Sequence, residues 1–599
     1  MASNKLPKRD EIDNKYKWKL EDIYSSNEKW EEDFKQIKNL TGEITKYRGE
    51  LGKASSKLLE CLKLSDELTS SLDKLFVYSR MRRDENNSNT TYQALTDRAM
   101  ALATEVSAAV SFIVPELISI PENTLKDFID SDKELQLYRQ FISEVLRQKK
   151  HILSEREEEL LALTSEISHA AKDAFTMFNN ADIKFPFIKD EDGEEIEVTK
   201  GRYIKFLESK DGRVREDAFH AIYSSYGKMK NTLASTLTSN VKNNKFYANV
   251  RKYNSSIEAA LDSDNISTDV YDKLIETVNS NLPLLHRYLR LRKKALKLDE
   301  LHMYDLYVPI VEQPKRHILL EDALDMVEKG LQPLGEEYLG YLKQGFSSGW
   351  IDVFENEGKT SGAYSWGSYK THPYVLLNYQ GTINDVFTLA HEMGHALHSF
   401  YTNKTQPYIY SEYKIFVAEV ASTVNENLLM KHMLDKAQSK EEKAYLLNHY
   451  LEEFRGTVFR QVMFAEFEKL IHAKIEQGEA LTTEDLCSIY RGLNLKYFGS
   501  EVVVDEDIDM EWSRIPHFYN SFYVYKYATG FSAASSISQA ILNEGKPAVD
   551  RYINFLSSGG SDYPLELLKK AGVDLYSPKP VQDALNVFEG ILSELETLL

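Results

Sequence analysis

The scarcity of helix-breaking residues constrains the fold of this chain more than any other feature. Its 599 residues include 27 glycines and 15 prolines, which is about 7 % of the sequence against roughly 12 % in average proteins. Apolar residues recur at helical spacing, as in Leu58, Leu59 and Leu62. Because glycine and proline interrupt helices and form tight turns, such a chain favours long helices and disfavours an all-β fold. We therefore predict a mainly α protein with a large multi-helix body.

Two short regions interrupt the helical pattern. In residues 181–200 the β-rich runs IKFPFI and EIEV flank Asp192-Gly193, which is a hairpin signal. Residues 349–380 read as two or three short strands. We place a domain boundary just before the first of these regions. The predicted division is an N-terminal helical domain at 1–180 and a second domain at 181–599.

Charge and cysteine content exclude several classes of protein. Acids outnumber bases by 93 to 73, and the formal net charge of −20 argues against binding to nucleic acid or to an anionic membrane surface. The two cysteines, Cys61 and Cys487, are too few for a disulfide scaffold or a cysteine-built zinc module. The N-terminus has no apolar signal-peptide segment. We expect a cytoplasmic protein without nucleic-acid or membrane partners, and the sequence leaves its oligomeric state open.

The most apolar window of the chain is residues 100–120. It contains Glu105, Pro115 and Glu116, which make it too polar to span a bilayer. We predict that this window is a buried helix that ends near Pro115.

Residues 385–400, DVFTLAHEMGHALHSF, carry the motif that indicates chemistry. His391-Glu392-Met393-Gly394-His395 is an H-E-x-x-H, and Thr382 with Asp385 forms a capping-box pattern where the helix begins. Histidines four residues apart lie on one face of a helix, so the two can bind one metal ion, and imidazole ligands suit zinc. Glu392 flanks that metal and can reach a water bound to it.

A catalytic zinc site needs a third protein ligand, for which Glu419 is the best candidate. It lies in an apolar, helix-periodic run at 415–430, where an acid is costly to bury unless it meets a cation. Glu426 reads either as the acceptor of a hydrogen bond from a ligand imidazole or as a solvated carboxylate. His398 continues the histidine face and either packs or supports a ligand. The predicted ligands of one zinc ion per chain are His391, His395 and Glu419.

These motifs together resemble the M3 family of zinc metallopeptidases, the thimet-oligopeptidase-like enzymes, and within it the bacterial oligoendopeptidase F branch. The resemblance lies in FTLAHEMGHALHS, FVAEVASTVNE and, upstream, SGAYSWGSYKTHPYVLLNY. It is good over about residues 200–590, whereas the first 180 residues match only in general helical character. It implies a zincin-like catalytic core in 181–599, a small β-sheet beside the H-E-x-x-H helix, and a deep channel that admits oligopeptides and excludes folded proteins.

The resemblance also implies where a substrate would bind. In this family the β element beside the metal helix pairs with the substrate backbone, which here points to Gly362, Ala363 and Tyr364. A glycine there would let a peptide approach closely. Gly362 could equally be an ordinary turn glycine between two strands.

Residues 514–530, RIPHFYNSFYVYKYATG, concentrate tyrosines around one histidine. In the family a histidine and tyrosines of this segment face the zinc, and by position these are His517 and Tyr523, with Tyr519 as a less direct match. The segment lacks the glycine-rich loop of the thimet branch, so its spacing is shorter. Tyr525 and Tyr527 could equally pack in the core.

The implied reaction is zinc-dependent hydrolysis of internal peptide bonds in short, unstructured oligopeptides. Glu392 would be the general base that acts on a zinc-activated water, and His517 and Tyr523 would stabilise the oxyanion. One alternative is a zinc carboxypeptidase on a similar helical scaffold, which needs a cation for the substrate's terminal carboxylate. Arg514 is the one arginine near the tyrosines. The other alternative is a non-catalytic helical protein that binds peptides or acts as a scaffold.

Overall fold

The structure is a computed structural model that describes residues 5–313 and 317–599, apart from the side chains of Glu155 and Glu166. Helices dominate it, as predicted. In chain order they are α1 (Asn27–Ile44), α2 (Ser55–Glu85), α3 (Thr90–Val110), α4 (Ile113–Ser119), α5 (Glu122–Ser131), α6 (Arg139–Gln148), α7 (Glu155–Leu163), α8 (Ser165–Met177), α9 (Lys200–Leu207), α10 (Gly212–Gly227), α11 (Lys230–Val250), α12 (Ser256–Asp262) and α13 (Thr268–Ser280). They continue with α14 (Leu282–Leu296), α15 (Leu320–Gly330), α16 (Gly335–Ser347), α17 (Ile383–Thr405), α18 (Ile415–Lys436), α19 (Lys440–Phe454), α20 (Arg460–Glu476), α21 (Thr483–Phe498), α22 (Tyr525–Glu544), α23 (Lys546–Leu556), α24 (Pro564–Lys570) and α25 (Lys579–Leu598). The strands are β1 (Phe187–Lys189), β2 (Glu195–Glu197), β3 (Ile351–Asp352), β4 (Tyr364–Trp366) and β5 (Tyr374–Leu376).

The chain forms two compact units, each built from three segments of sequence. The first unit comprises Met1–Lys150, Arg316–His432 and Ile537–Val573. The second comprises His151–Lys315, Met433–Ser536 and Asp574–Leu599. The metal-motif helix therefore packs in one unit with the N-terminal helices. The boundary before residue 181, which describes the order of domains along the sequence, stays a prediction.

The core of the first unit is built on α1, α2 and α3. The apolar stripe that suggested α2 faces inward, since Leu58 is fully buried and Leu62 is 3 % exposed. Trp30 of α1 is also fully buried, and its indole Nε1 donates to the carbonyl of Leu75, 2.9 Å away. Full burial of such side chains contributes about 1.5–3 kcal/mol each. Helical periodicity in the sequence thus indicates the buried face correctly.

The most apolar stretch of the described residues is Thr90–Ser119. By length and composition alone it could cross a membrane. In the structure it is two helices, and Leu95, Leu102 and Val106 of the first belong to the core of the first unit. The prediction that one helix ends near Pro115 is wrong. The first helix ends at Val110 and Pro115 lies in the first turn of α4, where a missing N–H costs nothing.

A three-stranded sheet lies in the first unit beside α17. Its strand order is β3-β5-β4, with β3 parallel and β4 antiparallel to the central β5. All three residues of β5 are buried, whereas β4 is only partly buried. Among the described residues no strand pairs with the outer side of β4. An edge strand of this kind can pair its free backbone groups with another extended chain.

The second unit contains the other predicted β element. β1 and β2 form an antiparallel hairpin in which Ile188 pairs with Ile196. Gly193 sits in its turn at φ +84°, a conformation that glycine adopts without a steric penalty. The Asp192-Gly193 signal therefore locates this turn correctly. The other named elements among the described residues of this unit are helices, including α11 and α20, which pack against each other.

Candidate active site

The metal-motif helix is α17, and its start follows from a capping box. Thr382 Oγ1 accepts the backbone N–H of Asp385 at 3.2 Å, while Asp385 Oδ2 accepts the backbone N–H of Thr382 at 2.8 Å. These two bonds satisfy donors that a helix leaves open at its first turn. Further along the helix, the rings of His391 and His395 are nearly perpendicular, with centroids 4.9 Å apart. Both imidazoles are partly exposed and can reach a ligand from solvent.

Gly394, between the two histidines, lets α18 approach α17 closely. A Cβ atom on this residue would lie 2.6 Å from Ser422 Cα and 2.8 Å from the Ala421 carbonyl oxygen, both backbone atoms of α18. The contact is fastened by Asn425, whose Nδ2 donates to the Ala390 carbonyl at 3.0 Å. Sequence reasoning treated Gly394 as a variable position of the motif. Its role depends on a neighbour that the local sequence does not reveal.

The close approach of α18 brings Glu419 to the two histidines. Glu419 Oε2 lies 3.3 Å from His391 Nε2 and 3.5 Å from His395 Nε2. Tetrahedral zinc with bonds of about 2.0–2.2 Å needs ligand atoms roughly 3.3–3.6 Å apart. The nitrogen–nitrogen–oxygen donor set and both separations therefore fit such an ion. Ser422 Oγ donates to Glu419 Oε2 at 3.1 Å and helps to orient it.

The electrostatics of this cluster favour a cation. Hydrogen bonds from His391 and His395 hold the pKa of Glu419 well below its usual range. Burial lowers the pKa of His391, but its hydrogen bonds to Glu419 and Glu426 outweigh burial and raise that pKa. The carboxylates of Glu419 and Glu426 thus favour the protonated, positively charged form of the His391 imidazole. A divalent cation at the same place would displace that proton.

Glu426 and His398 occupy different environments. Glu426 Oε2 lies 3.2 Å from His391 Nδ1, which is the ring nitrogen that faces away from Glu419. A carboxylate in this position fixes the ring orientation of a metal-binding histidine. His398 is 1 % exposed and stacks face to face on Tyr413, with ring centroids 3.7 Å apart. Burial lowers the pKa of His398 to about 3, which favours a neutral ring. The contact with Tyr413 is a packing contact, and a supporting role for His398 at the metal site stays a prediction.

Glu392 lies between the metal cluster and the edge strand. Its side chain is 7 % exposed. Burial raises its pKa, and this outweighs the opposite effects of the two imidazoles and of a hydrogen bond from the Ser365 backbone. A carboxyl group with a raised pKa beside a metal site holds a proton more readily than an ordinary glutamate, which suits it to accept and return one. The contact with Ser365 was not predicted, because it depends on where the sheet packs.

The loop before β4 holds Gly362 in an exposed turn. Gly362 has φ +84°, and no atom lies within 4 Å of a Cβ atom placed on it. Its carbonyl accepts a bond of 2.8 Å from Asn378 Nδ2. Ala363 follows it, partly exposed, and the Tyr364 hydroxyl donates to Asp84 Oδ2 at 2.9 Å. Gly362 therefore occupies a turn conformation that favours glycine. The role of all three residues in substrate binding stays a prediction.

The second unit carries the histidine–tyrosine segment. The rings of His517 and Tyr523 are nearly parallel with centroids 6.2 Å apart, and Tyr527 OH lies 3.4 Å from His517 Nε2. These three side chains are partly exposed. Burial lowers the pKa of His517, which favours a neutral ring. By contrast Tyr525 is fully buried.

Tyr519 is more enclosed than the sequence suggested. It is 7 % exposed, its hydroxyl lies 2.7 Å from Thr236 Oγ1, and its ring stacks on Phe175 at 4.3 Å. Burial raises the pKa of Tyr519 to about 12. Its hydroxyl is thus engaged within the second unit. The predicted contact between Tyr519 and substrate stays untested.

Two family models match the sequence. The model for peptidase family M3 matches residues 205–587, and the model described as Oligopeptidase F matches residues 116–185. The chain belongs to peptidase family M3. It is a metalloendopeptidase, and the cluster of His391, His395 and Glu419 is the group of described residues that could hold the metal of an M3 enzyme. The interpretation as a non-catalytic scaffold is therefore wrong.

Relatives and solved structures support this assignment over the whole length. The chain is 51 % identical to Oligopeptidase PepF of Bacillus subtilis (strain 168) over 597 residues, covering 100 % of this chain and 89 % of that protein. A crystal structure from Chlamydophila abortus, described as a peptidase, has a TM-score of 0.92 at 36 % identity and covers 99 % of this chain and 100 % of its own. Oligoendopeptidase-F from Enterococcus faecium matches with a TM-score of 0.75 at 38 % identity, over 96 % of this chain and 99 % of its own.

The extent of the likeness corrects one prediction. The first 180 residues were expected to match the family only in general helical character. Identity of 51 % over 597 residues includes them, and the Oligopeptidase F model begins at residue 116. The sequences of these N-terminal helices carry few distinctive motifs. Their similarity to the family is therefore detected only by direct comparison with its members.

Proposed function

We propose that this M3 enzyme is a zinc-dependent endopeptidase that cuts internal bonds of short, unstructured oligopeptides. The observation that carries the proposal is the spacing of Glu419 Oε2 at 3.3 and 3.5 Å from the two imidazole nitrogens, which fits one tetrahedral zinc ion. The oligopeptide class is supported by the names of relatives such as Oligopeptidase PepF. A deep channel that excludes folded proteins and a cytoplasmic location both stay predictions.

The residues of the first unit divide the chemical work. Zinc, when bound, lowers the pKa of a water ligand and polarises the peptide carbonyl. Glu392 takes the proton from the attacking water and passes it to the leaving amine, for which its buried carboxyl and raised pKa suit it. Glu426 keeps His391 in its binding orientation through the 3.2 Å contact.

Substrate would bind along the edge strand. β4 has no partner strand on its outer side among the described residues, and Ser365 in its centre already touches Glu392. A peptide that pairs with β4 through main-chain hydrogen bonds would therefore run past the general base. Gly362 and Ala363 would lie at the beginning of this binding edge, together with the backbone of Tyr364. In this scheme His517 and Tyr523 donate hydrogen bonds to the oxyanion.

The carboxypeptidase alternative lacks support at its key residue. A carboxypeptidase needs a cation that is free to bind the substrate's terminal carboxylate. Arg514 Nη2 donates instead to Glu511 Oε1 at 2.7 Å, and its guanidinium packs over the rings of Tyr203 and Tyr223. An arginine whose charge is already paired with a glutamate is poorly suited to bind the carboxylate of a substrate. The endopeptidase assignment needs no such cation.

Glu392→Gln tests the proposed division of roles. Glutamine keeps the size and hydrogen bonding of glutamate but cannot accept a proton at neutral pH. The variant should bind about one zinc per chain, and its kcat should fall by roughly 10²–10⁴-fold with little change in KM. The measurement is steady-state cleavage of a peptide blocked at both ends, together with zinc analysis of the purified protein.

A matched control is Glu336→Gln in α16, which makes the same chemical change at an exposed position of the first unit. It should keep normal turnover. If Glu392→Gln also kept normal turnover, Glu392 would not be the base. Loss of zinc from Glu392→Gln would mean that Glu392 is a ligand and that the site differs from the one proposed.

A further inference from the structure

The residue before Tyr523 has a backbone conformation that its side chain disfavours. Phe522 has φ +61°, and it is the one aromatic residue among the four described non-glycine residues with positive φ. Bulky residues rarely adopt this left-handed region, because the Cβ atom crowds the backbone. Such strain persists only where surrounding contacts enforce it, and it is concentrated at functional sites. The contacts that enforce it here are therefore informative.

The Phe522 turn is held by side chains from two helices. The backbone N–H of Phe522 donates to Glu468 Oε1 of α20 at 2.9 Å. One residue earlier, Ser521 Oγ accepts a bond of 2.8 Å from Asn244 Nδ2 of α11. His472 lies one turn after Glu468, and the centroid of its ring is 4.4 Å from the centroid of the Phe522 ring. The aromatic ring is itself buried, at 3 % exposure.

Glu468 is an unusual choice for this position. It is fully buried, and among the described residues its second oxygen, Oε2, has no hydrogen-bond partner. Burial raises the pKa of Glu468 to about 8, although the bond from Phe522 N–H acts in the opposite direction. No described lysine, arginine or histidine forms an ion pair with it. A buried carboxyl with one unsatisfied oxygen costs stability, so it calls for an explanation beyond packing.

The turn controls where Tyr523 points. Tyr523 follows Phe522 directly, and its carbonyl accepts the N–H of Lys526 at 3.1 Å as the chain enters α22. Its side-chain direction is thus set by the strained turn on one side and by the helix on the other. Relaxing Phe522 to an ordinary negative φ would rotate the backbone at Tyr523. A displacement of about 1 Å in a group that acts on the transition state can cost 10²-fold in rate.

We propose that Glu468 is a positioning residue that holds the strained Phe522 turn and thereby fixes the direction of the Tyr523 phenol. The inference rests on the proposed function, in which Tyr523 donates a hydrogen bond to the oxyanion. Only the acceptor oxygen Oε1 is needed for this role, and the role therefore does not require a cation partner for Glu468. Glutamine can supply the same acceptor, whereas leucine cannot.

A double-mutant cycle separates positioning from general stability. Glu468→Leu should lower kcat about 10–100-fold with little change in KM, whereas Glu468→Gln should stay within about threefold of the wild type. Tyr523→Phe should also lower kcat, by about 10²-fold. In the Tyr523→Phe background, Glu468→Leu should cause no further loss, because the group that it positions is already gone. All variants are measured as zinc-loaded full-length enzyme on the same blocked peptide.

Two further variants keep the test decisive. Ile475→Ala truncates a buried residue on the same helix, and any effect that it has on kcat should be equal in both backgrounds. If Glu468→Leu does not fold, Glu468→Met replaces it. Methionine is unbranched like glutamate but lacks the acceptor oxygen, so kcat should fall and again show no additional loss with Tyr523→Phe.

The possible failures are distinct. Wild-type turnover in Tyr523→Phe would reject the oxyanion role of Tyr523, and this inference with it. If Tyr523→Phe is impaired and the loss from Glu468→Leu is simply multiplied onto it, only the positioning role is rejected. A Glu468→Gln variant as impaired as Glu468→Leu would also reject it, since the acceptor would not be the feature that matters.

Discussion

Gly394→Ala tests whether the close contact between α17 and α18 sets the geometry of the metal site. The added Cβ would lie 2.6 Å from Ser422 Cα, whereas ordinary contacts begin near 3.4 Å. The nearest atoms belong to the backbone of α18, so no side-chain rotation can relieve the clash. The two helices must separate locally by about 0.8 Å, the difference between these two distances.

The expected loss follows from the tolerance of metal coordination. Glu419 lies three residues before Ser422, on the part of α18 that must move. Ligand distances in zinc sites are confined to about ±0.2 Å, so a shift of about 0.8 Å removes Glu419 from the coordination sphere. We expect zinc affinity to fall by more than about 100-fold, the upper end of what loss of a supporting hydrogen bond causes. Overpacking should cost about 1–3 kcal/mol in unfolding free energy, partly offset by the roughly 1 kcal/mol helix preference for alanine.

The assay is competition for zinc against a coloured chelator, combined with urea unfolding of the metal-free protein. Gly340→Ala in α16 is the matched control, because nothing lies within 4 Å of a Cβ atom placed there. It should bind zinc normally and gain up to about 1 kcal/mol in unfolding free energy. Wild-type zinc affinity in Gly394→Ala would show that the close contact does not determine where Glu419 lies, and our reasoning would be refuted.

Three other outcomes are expected. Glu419→Ala should abolish tight zinc binding and Glu426→Ala should weaken it about 10–100-fold in equilibrium dialysis; the reverse order would mean that the ligand is misassigned. Short unstructured peptides should be cut internally while intact casein stays nearly untouched, and equal rates for both would exclude a narrow channel. Because burial lowers the pKa of His398 to about 3, the unfolded chain binds a proton below about pH 6.5 that the native state refuses. The unfolding free energy should therefore decrease as pH falls, by about 2 kcal/mol at pH 5. In urea unfolding, His398→Phe should not show this part of the decrease. An equal decrease in the wild type and in His398→Phe would contradict the reasoning.

The metal helix could be predicted from sequence because its determinants are local. The capping box at Thr382 and Asp385, the apolar period and the spacing of the two histidines all lie within 14 residues of one another. Glu419 was identifiable for a different reason, since an acid in an apolar helix needs a cation. Neither argument requires knowledge of which segments meet in space. Together they were sufficient to predict that His391, His395 and Glu419 lie close to one another, as the structure shows.

Features that depend on distant segments were not predictable in this way. Gly394 matters only because the backbone of Ser422 lies against it, and Ser365 matters only because β4 packs beside Glu392. The sheet order β3-β5-β4 combines a parallel and an antiparallel pair, which the strand sequences alone do not specify. Pro115 led to a wrong prediction of where a helix ends, because proline is tolerated in the first turn of a helix as well as after the last turn of one. Local patterns thus define elements, while the packing of those elements defines the site.

The tyrosine segment shows the limit most clearly. Four tyrosines between 519 and 527 look alike in sequence, and a phenol can serve equally in a core or at a catalytic centre. The structure separates them by exposure, since Tyr519 and Tyr525 are buried while Tyr523 and Tyr527 remain partly accessible. Tyr523 directly follows Phe522, whose φ of +61° lies in a region that phenylalanine rarely adopts. A sequence reading assigns such angles to glycine or asparagine, so it cannot find a turn whose strain is imposed by Glu468 from another helix.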